Sequence, residues 1–429
     1  MEISELYNIY KQYPEISTDT RNSPKGSIFF ALKGANFNGN EYAEKALDSG
    51  CGYAVVDEAK YATRPNIILV DDSLEALQDL ARYHRKQFIK KPIIAITGTN
   101  GKTTTKELIY SVLSQEYNVL ATQGNLNNHI GVPLTLLKIK EEHEIIIVEM
   151  GASHIGEIKF LAEMALPNYG LITNLGHAHI EGFGSFENIV KAKGELYEYI
   201  RSTNDGKIFI DYDNTLLREM SEGIVSIYYG QEEDLFISGR VYSIKPYLEL
   251  EWKFGDKRNL IKTNMIGEYN LSNALAAITV GKYLGVKAPL ICKAIEEYIP
   301  TNNRSQLKDT GKNMLIIDAY NANPTSMHAA LENFDHLEVN KKVLILGDMK
   351  ELGSDTDAEH QKVADYITRH KFDKVIFIGD NFSRVDTNYL RFKDLDALKE
   401  YLIDNPIEDS YILLKGSRGV QLERCIELL

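Results

Sequence analysis

Cysteine is scarce: the 429-residue chain has three, Cys51, Cys292 and Cys425, far apart and without CxxC spacing. That odd, scattered set supports neither a disulfide framework nor a thiolate metal site. Long apolar runs are also missing. The opening "MEISELYNIYKQYPEIS" has no apolar core like that of a secretion signal, and no later stretch is apolar enough to span a bilayer. The expectation is a cytoplasmic protein with no membrane span. Positive charge is in the minority, with 48 Lys and Arg against 61 Asp and Glu and a net charge of −13. The overall field therefore repels nucleic acid and anionic membranes, and a polyanionic ligand needs local cationic clusters. Fixed-period repeats and low-complexity tracts are absent. What remains is an ordinary globular composition, 44% hydrophobic and 25% charged, with enough length for two or three domains.

A further absence is a single glycine. "AITGTNGKTTTKELIY", residues 95–110, looks like a phosphate cradle, but the usual spacing wants glycine at position 96, where Ile96 stands. The physical requirements are met all the same. Gly98 and Gly101 let backbone N–H groups converge, with Thr99, Asn100 and Thr104 completing the cradle. Lys102 supplies charge and Thr103 a hydroxyl for Mg²⁺. The following helix puts Leu108, Ile109, Val112 and Leu113 on one face.

Three further signals carry chemistry. In "EIIIVEMGA" an apolar strand from Ile145 to Val148 ends in Glu149, a candidate Mg²⁺ ligand or else a charge facing solvent. His177 and His179 follow another apolar run, in a loop where histidine is usually only a polar surface residue. In "ENIVKAKGELYEYI" Lys193 falls on the helical face of Ile189, Leu196, Tyr197 and Ile200, while Lys191 and Glu195 point elsewhere. Either its stem snorkels to the rim, or it is a lysine with a depressed pKa available for modification or pairing.

Three blocks appear along the chain. The first holds short runs such as "SIFFAL" and "GYAVVD" and closes at "RYHRKQFIKKP", expected to be a linker. The second opens at "PIIAIT" as strand, glycine loop and helix. The third repeats an apolar strand ending in a small or acidic polar group, in "MLIIDAYN", "KVLILGDM", "KVIFIGDN" and "YILLKGSR". Strands alternating with helical segments predict an α/β protein whose parallel sheets turn their carboxyl ends to a ligand crevice.

"TGTNGKTTTKELI", "EMGASHIGEIKFLAEMA", "TNLGHAHIEGFGSFENIVKAKGELY", "GEYNLSNALAAI", "IDAYNANPTSM", "LGDMKELG" and "LKGSRG" together resemble the Mur ligases over nearly the whole chain, in order. The shortened phosphate loop is the form that superfamily carries. The resemblance implies three domains: a small mixed α/β UDP-sugar-binding domain at 1–84, a central P-loop ATPase domain at 85–300, and a Rossmann-like domain at 301–429 for the incoming dipeptide. It implies an ATP-dependent amide ligase that works through an acyl phosphate. "DAYNANPTSM" and "GDMKELG" resemble the member whose substrates are UDP-N-acetylmuramoyl-tripeptide and D-alanyl-D-alanine. ATP and two Mg²⁺ ions are the implied cofactors, with no nucleic-acid partner and a monomer as the working form.

By the same resemblance Lys102 holds the β,γ-phosphates, Thr103 and Glu149 serve the first Mg²⁺, and His179 and a carbamylated Lys193 serve the second. Asn270 and Asn273 approach adenine, Arg304 the phosphates and Asp318 the ribose. Thr20, Arg21, Lys33 and Asn36 hold the UDP moiety, and Asn127 and Asn128 line the muramoyl peptide. Tyr320, Asn321 and Asn323 sit where the dipeptide enters, and Lys415 and Arg418 meet an anionic peptide end. The family's Asp-Gly-His reads Asn38-Gly39-Asn40 here, so that tripeptide receives no role. A sister ligase adding one amino acid, a folate polyglutamylating enzyme and a nucleotide-operated switch are the alternatives. Three substrates on three domains also imply closure about a hinge near 298–306, with Arg304 and Asp318 far from Lys102 in an open arrangement.

Overall fold

Short apolar runs separated by polar turns give three parallel-rich sheets in a computed structural model that describes residues 1–301 and 303–429. Asn302, within the expected hinge, lies outside the described residues. The first sheet orders Ile16–Ser17, Ile28–Phe30, Tyr53–Val56 and Ile67–Leu69, all parallel. The second has nine strands, with an antiparallel edge formed by Ile237–Ile244, Tyr247–Phe254 and Lys257–Ile266. At its heart Ile93–Thr97 lies between Ile145–Glu149 and Tyr169–Ile172, parallel to both. Their carboxyl ends are therefore neighbours, and the loops after Thr97, Glu149 and Ile172 emerge side by side.

The third sheet contains the four expected apolar strands, Met314–Asp318, Lys342–Gly347, Lys374–Ile378 and Tyr411–Lys415, mutually parallel, with Gln306–Asp309 antiparallel at one edge. Met314–Asp318 and Tyr411–Lys415 are adjacent, which sets Asp318 opposite Lys415 in register. Each face of this sheet buries its own cluster, one around Leu331, Phe334 and Leu344, the other around Leu315, Ile317 and Leu398.

The stretch expected to be a linker is not one. Residues 82–87 complete the helix Ser73–Gln87, which Asp72 caps by accepting from the N–H groups of Leu74 (2.7 Å) and Glu75 (2.8 Å). His84 and Arg85 are buried. The guanidinium of Arg85 donates to the carbonyls of Ala165 (2.8 Å), Leu166 (3.1 Å), Phe88 (2.5 Å) and Lys91 (3.1 Å). Ala165 ends the helix Glu157–Ala165, so the cation sits where the helix dipole and unpaired carbonyls attract it. Charge was misleading because it is used for capping, not solvation. The helix thus joins the first sheet to the second, and one core runs from Leu6, Phe30 and Val55 through Leu77 and Leu80 to Val148, Ile158 and Leu161. Among the described residues no helix is long and apolar enough to cross a membrane.

Candidate active site

The phosphate loop is held from both sides. Gly98 and Gly101 have φ of 139° and 79°, where side chains are disfavoured. A Cβ on Gly98 would lie 2.1 Å from Thr173 Oγ1, and one on Gly101 2.6 Å from Asn273 Oδ1. Thr173 donates to the Asn100 carbonyl (2.5 Å), and the Asn100 N–H donates to Asn174 Oδ1 (2.9 Å). On the other side Thr105 donates to Asn273 Oδ1 (3.0 Å), whose amide donates to Asn270 Oδ1 (2.8 Å). Asn270 in turn donates to the Ile266 carbonyl (2.7 Å). These two asparagines, expected near adenine, brace the loop while lining the same cavity. Lys102 opens the helix Lys102–Leu113, and its Nζ donates to the carbonyls of Gly98 (2.7 Å) and Thr99 (3.0 Å). Burial pushes this lysine down to about 8, helped by Arg304 and opposed by Glu149.

Glu149 is 1% exposed, which overturns the solvent-facing alternative. Its Oε1 accepts from Asn127 Nδ2 (2.8 Å) and Thr103 Oγ1 (3.3 Å), and its backbone N–H donates to Thr122 Oγ1. Its Oε2 is buried with no partner. A buried carboxylate oxygen left unpaired is costly unless something cationic meets it. Beside the Thr103 hydroxyl, that oxygen fits a hard cation such as Mg²⁺, which takes few protein ligands and fills its shell with phosphate oxygens and water. Among the described residues no group of three or more His, Cys, Asp or Glu side chains could hold a metal by itself.

Lys193 lies behind the wall of this site. It is 2% exposed on the buried face of the helix Phe186–Arg201, so it does not snorkel. Its Nζ donates to the Ala152 carbonyl (3.3 Å) and stands 5.4 Å from the centre of the Phe183 ring. Burial first, and the nearby Lys102 second, push it down to about 7. A shift in this direction favours the neutral amine, which is the nucleophilic form of a lysine. Unmodified, Lys193 is itself a cation or a buried amine and offers no hard oxygen ligand to a second metal ion. His179 itself meets Glu351 Oε2 through Nδ1.

The opposite wall comes from the third sheet. Asp318 and Lys415, side by side in register, pair at 2.5 Å, and Lys415 is buried. The guanidinium of Arg304 stacks 3.7 Å from the centre of the Tyr320 ring, with Arg418 at 5.6 Å from that centre. Asn323 caps the helix Pro324–His336 through Ser326 and crosses to donate to Asn100 Oδ1 (2.8 Å). The His177 N–H donates to Thr325 Oγ1 (3.1 Å). One cavity of about 980 Å³ results, lined by residues 99–104, Asn127, Asn128, Glu149, His179, Arg304, Asp318, Tyr320, Asn321, Asn323, Lys415 and Arg418. The arrangement is closed: Arg304 and Asp318 share this cavity with Lys102 instead of standing far from it.

The four expected UDP contacts lie outside that cavity. Arg21 pairs with Asp19 (2.6 Å) at the surface, Thr20 is half-buried, Asn36 is exposed, and Lys33 pairs with Asp57 (2.8 Å) and Glu58 (3.3 Å). Asn40 is fully buried, donating to Asp57 Oδ1 (2.8 Å) and accepting from the Asp57 N–H (2.9 Å). Asn128 caps the helix Gly131–Leu136 by accepting from the N–H groups of Ile130 and Gly131. Sequence reasoning missed Thr173, Asn174, Thr325 and Glu351. All four sit in segments already quoted for the family resemblance, and only their contacts across the cavity were illegible.

Three family profiles match in order: "Mur ligase family, catalytic domain" at residues 12–85, "Mur ligase middle domain" at 96–281, and "Mur ligase, glutamate ligase domain" at 303–418. The chain belongs to the Mur ligase family. It is 34% identical to the UDP-N-acetylmuramoyl-tripeptide–D-alanyl-D-alanine ligase of Bacillus subtilis strain 168, covering 96% of this chain and 92% of that one. Among solved Mur ligases, MurF from Acinetobacter baumannii superposes with a TM-score of 0.88 at 28% identity, covering 99% of this chain and 98% of that one. MurF from Thermotoga maritima, solved in complex with ADP, gives 0.85 at 25% identity, covering 97% of each. The three-domain α/β architecture of the Mur ligases is that of this chain, and the enzyme is an ATP-dependent ligase.

Proposed function

We propose that this Mur ligase joins D-alanyl-D-alanine to UDP-N-acetylmuramoyl-tripeptide with hydrolysis of ATP to ADP and phosphate, in the cytoplasmic synthesis of peptidoglycan precursors. One observation carries the reading: the phosphate loop and Glu149 on the central sheet share a single closed cavity with the "DAYNANPTSM" segment and the Asp318–Lys415 pair on the third. A nucleotide switch needs no such second wall of polar and cationic groups. The relatives' names support the same substrates.

The chemistry follows from the residues. A carboxylate is a poor electrophile, so the tripeptide's terminal carboxylate takes the γ-phosphate and the dipeptide amine then attacks the acyl phosphate, forming the amide and releasing phosphate. Lys102 exchanges the loop carbonyls it now holds for the β,γ-phosphate oxygens. Thr103 and Glu149 would hold Mg²⁺, and His179 would hold a second ion together with Lys193 if that lysine is carbamylated. When bound, these ions neutralise the repulsion between carboxylate and γ-phosphate. Arg304 brings positive charge to the phosphates from the opposite wall, while Lys415, its charge balanced by Asp318, stands with Arg418 where the anionic peptide end would lie. Thr20, Arg21, Lys33 and Asn36 take the UDP group on the first domain. Domain limits of 1–84, 85–300 and 301–429 complete the reading, although the first falls within the helix Ser73–Gln87. The working unit in this reading is a monomer.

The test is phosphate release from ATP and Mg²⁺ with UDP-N-acetylmuramoyl-tripeptide, with and without D-alanyl-D-alanine. Release that needs both, with a product heavier by the dipeptide, is expected. Release with a single amino acid or a folate instead would overturn the substrate assignment and leave the ligase.

A further inference from the structure

The segment "GDMKELG" is clamped to the third sheet and reaches across to the second. Asp348 is 2% exposed and accepts from the N–H groups of Asn381 (3.1 Å) and Phe382 (3.0 Å). The Met349 N–H donates to His360 Nε2 (3.0 Å), and the Lys350 N–H to Ser417 Oγ (3.1 Å). Three consecutive residues are thereby fixed to their own domain, and Glu351 must move with it as a rigid part. Glu351 then makes two contacts with the central domain. Its carboxylate pairs with His179 Nδ1, and its carbonyl accepts from the Glu181 N–H (3.2 Å).

Both partners of this contact are strained. His179 and Glu351 have φ of 52° and 64°, the left-handed region that residues with side chains seldom occupy. Such conformations persist where surroundings over-determine them, and they cluster at sites of function. The paired geometry also fixes the imidazole. With Nδ1 committed to a carboxylate, the ring is oriented and Nε2 is the nitrogen left to meet a ligand in the cavity that His179 lines. A histidine held in this way is a better ligand than one free to rotate.

We propose that Glu351 is a positioning residue for His179, delivered by the third domain, so that the imidazole is set for metal binding only when the two domains close. Closure and metal affinity are then one equilibrium, reciprocal by linkage. The proposal deepens the ligase reading and rests on it only for the use to which His179 is put.

The experiment compares wild type, Glu351→Ala, Glu351→Gln, His179→Ala and the double alanine variant by calorimetric titration of Mg²⁺ in the presence of ADP. Compaction is followed by small-angle scattering in the same mixtures. Glu351→Ala should weaken Mg²⁺ binding by about 10-fold and reduce compaction, with thermal stability without ligands little changed. Glu351→Gln, which keeps a hydrogen-bonding side chain, should fall between, and it carries the test if the alanine variant folds poorly. The double variant should match His179→Ala, since Glu351 acts through that ring. Wild-type Mg²⁺ affinity and compaction in Glu351→Ala and Glu351→Gln, or additive effects in the double variant, would overturn the proposal. Neither readout uses the peptide substrates, so a failure here is distinct from a wrong substrate assignment.

Discussion

Lys193→Arg separates the two uses of a buried lysine. Arginine keeps the cation but cannot give up its proton, so the variant should lose turnover as completely as Lys193→Ala, by at least about 100-fold in phosphate release. Stability should follow proton binding with a definite sign. The folded-state pKa of Lys193, about 7, lies below that of a free lysine, near 10.5. Between those values the unfolded chain binds the extra proton, so stability should rise with pH across that window. In buffers free of carbon dioxide, melting temperature measured from pH 7 to 10 should climb more steeply for wild type than for Lys193→Met. Lys102→Ala should abolish release by roughly a thousandfold while the fold persists. Lys193 was legible because helical periodicity alone put it among Ile189, Leu196 and Ile200. The pairing of His179 with Glu351 was not, since no local pattern joins two loop residues 172 positions apart.

The loop between Ile93–Thr97 and Lys102–Leu113 is the element on which the site turns. Gly98→Ala would place a methyl 2.1 Å from Thr173 Oγ1 at a φ of 139°, and strain of this kind costs on the order of 2 kcal/mol. The variant should unfold at lower denaturant concentration and bind ADP more weakly, both measurable on the purified chain. Strand, loop and helix could be read here because glycine, lysine and threonine each answer a physical demand of a phosphate. The helix Ser73–Gln87 shows the opposite case. Its basic run looked like a solvated connection, yet Arg85 spends its charge on four carbonyls inside the molecule.

Across the whole molecule, that guanidinium ties the helix Ser73–Gln87 to the end of the helix Glu157–Ala165. Arg85→Ala would leave the carbonyls of Ala165, Leu166, Phe88 and Lys91 without their donor, at a cost of about 3 kcal/mol. Its melting transition should fall by several degrees, and proteolysis should begin near residues 85–92. The alternating strands and helices announced the α/β class, and the four apolar strands of the third sheet fell where periodicity put them. The closed packing of that sheet over the phosphate loop depends on contacts such as Asn323 with Asn100, which no periodicity encodes. The continuous core from Leu6 to Leu161 bears on how the protein is born. A nascent chain needs both early sheets out of the ribosome before the core they share can close, whereas the third builds its two clusters almost wholly from its own residues and folds last. Synthesis would then yield a nucleotide-binding body first and a working ligase only when the final strand, Tyr411–Lys415, slots into the middle of its sheet.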